Sequence, residues 1–150
     1  MKRVISLMAL TLLALGCQGV DKEKLVNLHD FTLTAHEDWD VIFYGSKEAQ
    51  LKVPGETYHF DYLNLRINKD EAIDLTGFGM IGANDDNIVY DNDCDTAYDC
   101  FYLQIEDTLY EATFTVSSQE TPPEDADENW TPDIHVDTQE MIDFLLTAES

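Results

Sequence analysis

The sequence predicts a mainly β domain, an antiparallel β-sandwich or small barrel with a short C-terminal helix. Apolar and polar residues alternate with period two through about eight short segments, the pattern of strands with one buried face. Turn-forming clusters such as Pro54-Gly55 and Asn84-Asp85-Asp86-Asn87 divide those segments. Many short strands separated by turns argue for a sandwich or barrel rather than alternating helices and strands. Near the end, Met141, Ile142, Phe144, Leu145 and Leu146 switch to helical spacing.

Taken in order, Phe31, Leu33 and Ala35 point one way, with Thr32, Thr34 and His36 the other, as in a half-buried strand. Trp39 to Tyr44 is apolar on both faces, which reads as a central strand. Residues 50–53 and 56–68 flank Pro54-Gly55, where Pro presets φ and Gly supplies φ > 0 for a type II turn. Tyr58, Phe60 and Tyr62 share one face, but Leu63, Leu65 and Ile67 continue on the other; Ile73 and Leu75 likewise give way to Phe78 and Met80 across Gly77. Such phase changes predict bulges, or strands bending between sheets. The Tyr58, Phe60, Tyr62 stripe suits either one wall of a core or a platform for carbohydrate or peptide. Ile88 and Tyr90 form a short strand after the turn at residues 84–87. Phe101, Leu103 and Ile105, then Tyr110, Ala112, Phe114 and Val116, alternate on either side of Asp107-Thr108 as a hairpin.

From Ser117 to Pro132 the chain is acidic, carries Pro122-Pro123 and has almost nothing apolar except Trp130, so it reads as a linker or loop. Asp137-Thr138-Gln139-Glu140 then has the capping-box pattern, with acids at the positive end of the helix dipole. The helix is too short to stand alone and must dock, on its own sheet or in a partner's groove.

The charge is extreme: 31 acidic residues against eight Lys and Arg, formally −23. Apart from Lys2 and Arg3, every base lies between Lys22 and Lys69, and none follows. Phosphate backbones are repelled, which excludes nucleic acid as a partner. Direct docking on anionic headgroups is disfavoured as well. A solvated acidic surface, a protein partner with a basic surface, or a bound divalent metal each fits such a charge.

The first residues give the location. Met1-Lys2-Arg3 is basic, Val4 to Leu15 is apolar except for Ser6 and Thr11, and Ala14-Leu15-Gly16-Cys17 closes the run. That is the layout of a secretory signal, shorter than the ~20 residues a spanning helix needs. With cysteine following the small residues, the segment resembles a bacterial lipoprotein signal. The resemblance implies cleavage before Cys17, lipid attachment (two acyl chains on the thiol and one on the new N-terminus) and a formal mature charge of about −25. Gln18, in place of the Asp linked to inner-membrane retention in enteric bacteria, implies the outer membrane in a Gram-negative host. The expected organisation is signal over residues 1–16, lipidated tether over 17–28, β-rich domain over 29–118, acidic linker over 119–136 and helix over 137–148.

With Cys17 lipidated, Cys94 and Cys100 remain as an even pair in an oxidising compartment, which predicts a structural disulfide. A redox-active pair fits less well, because neighbouring aspartates raise thiol pKa. Between and before them, Asp91, Asp93, Asp95 and Asp99 stand at relative positions 1, 3, 5 and 9, the oxygen-ligand spacing of loops that bind Ca2+. Thr96 and Tyr102 depart from that pattern at its sixth and twelfth positions, so the loop reads either as a calcium site or as an acidic loop pinned by the disulfide. His36, His59 and His135 each precede an Asp by two residues, a spacing that on a strand suits zinc or a plain polar face. No Gly-x-Ser-x-Gly elbow or Gly-rich phosphate loop occurs. The expectation is a lipid-anchored, non-enzymatic binding or accessory module of the envelope. Its alternatives are a calcium-binding module and an acidic immunity or inhibitor protein for a cationic partner.

Overall fold

The computed structural model describes residues 22–54, 61–94, 99–118, 122–129 and 136–150. After a 3-10 turn at Lys22–Lys24 come nine strands: β1 (Leu25–Leu28), β2 (Phe31–Thr34), β3 (Asp40–Tyr44), β4 (Glu48–Lys52), β5 (Asp61–Lys69), β6 (Met80–Ala83), β7 (Asn87–Asp91), β8 (Asp99–Ile105) and β9 (Thr108–Ser118). One helix, α1 (Thr138–Leu146), follows. Seven strands form one antiparallel sheet in the order β3-β4-β5-β9-β8-β7-β6, and β1-β2 is a separate hairpin. Among the described residues this sheet does not close, so the architecture is sandwich-like rather than a barrel.

The long pair β5–β9 is the spine, in register from Asp61↔Ser118 to Lys69↔Tyr110. Period two sorts its residues. Leu63, Leu65 and Ile67 lie opposite Val116, Phe114 and Ala112 on the inner face, while Asn64 and Arg66 meet Thr115 and Thr113 on the outer. Leu51, Phe101, Leu103 and Val89 extend the inner face across the neighbouring strands, all fully buried. Covering that face is the task of the second layer, the β1–β2 hairpin and α1. Trp39 packs edge-on to Phe144 with ring centroids 5.3 Å apart, Phe144 lies 6.5 Å from Phe114, and Phe114 lies 5.8 Å from Phe101. This aromatic chain runs from the second layer into the sheet.

His29 fastens the hairpin. It occupies the tight turn with φ 48, its Nε2–H donates to Ile67 O at 2.7 Å, and its backbone N–H donates to Ser46 O at 2.8 Å. The helix begins on the expected capping box: Asp137 Oδ1 accepts from Glu140 N, and Glu140 Oε2 accepts from Asp137 N. Its far end has no basic residue. Instead Asn84 Nδ2 donates to Leu146 O at 2.7 Å, and Asn87 Nδ2 donates to Leu146 O and Ala148 O at 3.1 and 2.8 Å. Amides thus take the place of the cation that the negative end of a helix normally attracts. Met141, Ile142, Phe144 and Leu145 are buried, so α1 docks on the chain's own sheet. Beyond it, Glu149 exchanges backbone hydrogen bonds with Thr32 of β2.

Several expectations are corrected. The tether placed at 17–28 ends earlier, because Leu25–Leu28 is a strand with Val26 and Leu28 buried. The stretch read as a central strand is the sheet edge β3; Trp39, just before it, is buried, but Ile42, Phe43 and Tyr44 are 49%, 55% and 43% exposed. Ile73 and Leu75 belong to a connection that turns at Gly77 (φ 103) rather than to a strand. The short strand expected at Ile88 and Tyr90 is β7, whose buried face is Asn87 and Val89, with Asn87 turned inward to cap the helix. Gly55, Tyr58, Phe60 and Trp130 lie outside the described residues.

Two substitutions test how α1 is held. Asn87→Ala removes both amide bonds and leaves Ala148 O short of its partner, which should cost about 1–3 kcal/mol. Gly82→Ala places a methyl 2.6 Å from Ile142 Cγ2, and the overpacking should cost a similar ~1–3 kcal/mol. Both should lower the urea midpoint without changing the slope of the transition.

Candidate functional site

Cys94 and Cys100 form a disulfide with Cα atoms 6.0 Å apart. It ties the residues just after β7 to the start of β8, where Asn92 N–H donates to Cys100 O at 3.3 Å. The carboxylates of this loop do not behave alike. Asp91 and Asp93 are exposed, whereas Asp99 Oδ1 accepts from Cys100 N at 3.0 Å and Oδ2 accepts from Thr138 Oγ1 at 2.9 Å. Asp99 therefore joins the loop to the first turn of α1. Asp95 and Cys17 lie outside the described residues, and among the described residues no three His, Cys, Asp or Glu side chains gather into a metal-holding set.

Both described histidines with structural partners are engaged by backbone. His29 serves the hairpin turn as above. His36 and Asp38 lie in a tight turn, not on an extended strand: Asp38 N–H donates to His36 Nδ1 at 3.1 Å, and Trp39 N–H donates to His36 O at 3.0 Å. His59 and His135 are outside the described residues.

The larger pattern is the distribution of charge across the sheet. Residues 22–69 hold eight acids and six bases; residues 70–150 hold 22 acids and no base. Because β9 pairs with β5, and β8, β7 and β6 lie beyond β9, the boundary at Lys69 becomes a spatial one. The half made of β3, β4 and β5 carries Lys47, Lys52, Arg66 and Lys69, with Lys24 beside β3. The half made of β9, β8, β7 and β6, with α1, is uniformly acidic at its surface, including Asp85 and Asp86 in one turn and Glu106 and Asp107 in another.

The sheet edges share a second pattern. Among the described residues, the large hydrophobic side chains that stay exposed are Ile42, Phe43 and Tyr44 on β3, and Phe78, Met80 and Ile81 on or just before β6. Each edge strand also has a register shift, between Val41 and Phe43 and between Met80 and Gly82, so Ile42 and Ile81 are the extra residues. Irregularity of this kind discourages edge-to-edge pairing. Nothing in the period-two pattern of residues 39–44 separates such an edge from a buried strand, which is why the exposed trio escapes sequence reasoning. No protein family model, curated protein or solved structure matches the chain.

Two tyrosines register the local field. Burial raises the Tyr102 phenol above its ordinary value, with the carboxylates of Glu111 and Asp70 adding to the effect. Burial also raises Tyr110, opposed by Lys69 and reinforced by Asp30.

Reducing the disulfide reopens a loop of only seven residues, so stability should fall by about 2.4 kcal/mol on the chain-entropy model. Denaturation with and without reductant measures it, and Cys94→Ser with Cys100→Ser should reproduce the reduced value. Alkaline titration checks the tyrosines. Their folded pKa values exceed the unfolded value near ~10, so the folded state holds protons more tightly; stability is intact below about pH 10 and declines as pH rises toward the folded values. Tyr102→Phe combined with Tyr110→Phe should flatten that decline.

Proposed function

We propose that this protein is a lipid-anchored envelope module that works without catalysis, held through Cys17, and that its acidic half engages a protein with a basic surface. The observation that carries the reading is the separation of charge across one sheet, 22 acids without a base in residues 70–150. A surface of one sign steers an oppositely charged partner and rejects like-charged ones. The basic N-terminus, apolar run and small residues before Cys17 support lipid attachment there, Gln18 supports the outer membrane of a Gram-negative host, and two or more acyl chains suffice for stable anchoring. An inhibitor is the special case in which the partner's basic surface is its own working site.

The test combines fractionation with capture. Wild-type protein should pellet with membranes and carry lipid mass on its N-terminal peptide, whereas Cys17→Ser should be soluble or uncleaved. A partner cross-linked in intact envelopes should be lost as salt rises, because the Debye length shortens from ~10 Å at 0.1 M to ~3 Å at 1 M. Neutralising Asp85, Asp86, Glu106 and Asp107 to their amides should weaken capture, and Lys47→Gln should not. Capture indifferent to both salt and those amides would remove the acidic half from the reading.

A further inference from the structure

We propose that the β3 edge is laid against the phospholipid surface, so that the acidic half of the sheet points away from the membrane. This rests on anchoring through Cys17. Lys22 is five Cα steps beyond Cys17, so the anchor lies within roughly 18 Å of the first described residue at full extension. That residue opens the 3-10 turn that packs on β3. Lys24 Nζ donates to Trp39 O and lies 3.5 Å from Asp40 Oδ1. Glu23, Lys24 and Leu25 line a groove of about 480 Å3 with Asp40 to Tyr44. The tether therefore delivers this edge to the bilayer.

The edge suits an interface of headgroups and acyl chains. Ile42, Phe43 and Tyr44 are each about half-exposed, and aromatic residues with one wet and one apolar side favour that depth. Lys47 is exposed in the turn between β3 and β4, and Arg66 is exposed on β5 opposite Glu48. Lys24 Nζ lies 3.5 Å from Asp40 Oδ1 and Arg66 stands opposite Glu48, while Glu37 and Asp38 are exposed in the turn before the strand. Residues 22–69 thus approach neutrality while residues 70–150 do not. Six strand spacings of ~4.8 Å put β6 about 29 Å from β3, more than three Debye lengths of ~8 Å. The acidic half thus begins about 14 Å from β3 at β9, nearly two Debye lengths, and ends at β6. The opposite edge also exposes Phe78, Met80 and Ile81, but it lies in the half without bases and at the far side from the tether. A second copy is a poor occupant of β3, because the register shift at Ile42 breaks the edge and two strongly acidic chains repel.

The acylated full-length protein is reconstituted in vesicles of phosphatidylethanolamine and phosphatidylglycerol containing a headgroup-level quenching lipid. Phe43→Trp and Ile81→Trp each add one indole at an exposed position, with wild-type emission as the baseline. The added Phe43→Trp emission should be blue-shifted and mostly quenched, and that of Ile81→Trp should be unaffected; Tyr44→Trp should repeat the first result if Phe43→Trp perturbs the fold. Flotation of the vesicles reports anchoring separately. Flotation with no quenching at Phe43→Trp and Tyr44→Trp, or with equal quenching at Ile81→Trp, overturns the orientation and leaves the anchor intact. A blue shift in detergent that grows with protein concentration assigns the edge to a second copy and overturns it too. Failure to float overturns the anchor and the orientation together.

Discussion

Everything in this domain depends on covering one face of a seven-stranded sheet. The inner face presents Leu51, Leu63, Leu65, Ile67, Leu103 and Phe114 side by side, and without a second layer that apolar surface would meet water. A four-residue hairpin pair and a nine-residue helix supply the cover. Neither is stable alone, since a helix of this length is marginal in water and so is an isolated hairpin. Cover and sheet are therefore one cooperative unit. The aromatic chain from Trp39 through Phe144 and Phe114 to Phe101 runs through both layers.

The acidic composition constrains how that cover is fastened. With no Lys or Arg beyond Lys69, the carbonyl end of α1 has no nearby cation in sequence. Two asparagines from the turn and first residue of β7 meet it instead. Neutral donors satisfy the last carbonyls without being screened as an ion pair would be by salt. At the other end, Asp137 and Glu140 sit where negative charge is favourable, and Asp99 ties Thr138 to the disulfide-bearing strand. Asp137 and Glu140 thus stand at the helix end that favours negative charge, and the amides of Asn84 and Asn87 serve the end that favours positive charge.

Much of this was legible in the sequence, for physical reasons that also mark where legibility stops. Alternation identifies β2, β5, β8 and β9, because one face of each packs on the core, although in β8 Cys100 and Tyr102 are buried on the second face as well. The capping box identifies the start of α1, and the parity of the cysteines identifies Cys94–Cys100. By contrast, Leu25–Leu28 is too short and too close to Lys22-Glu23-Lys24 to announce itself, although Val26 and Leu28 are fully buried. Residues 41–44 look central because apolar composition records what a strand carries, not which neighbours it has. Asn87 looks like turn punctuation because its inward role depends on Leu146 and Ala148, about sixty residues away. The charge boundary at Lys69 is plain in one dimension. Its meaning comes from the long return of β9 to pair with β5, which decides on which side of the sheet the later strands accumulate.

The position of α1 in the chain has a consequence for the order of events during synthesis. Met141, Ile142, Phe144 and Leu145 close a core whose other members were made as many as a hundred residues earlier. The β5–β9 pair and the docking of α1 join distant parts of the chain, and closing such loops costs entropy before packing compensates. The strands emerge with only the β1–β2 hairpin available to cover their common face, because the helical part of the cover is residues 138–146. The core is therefore complete only when the last helix of the described residues has been made.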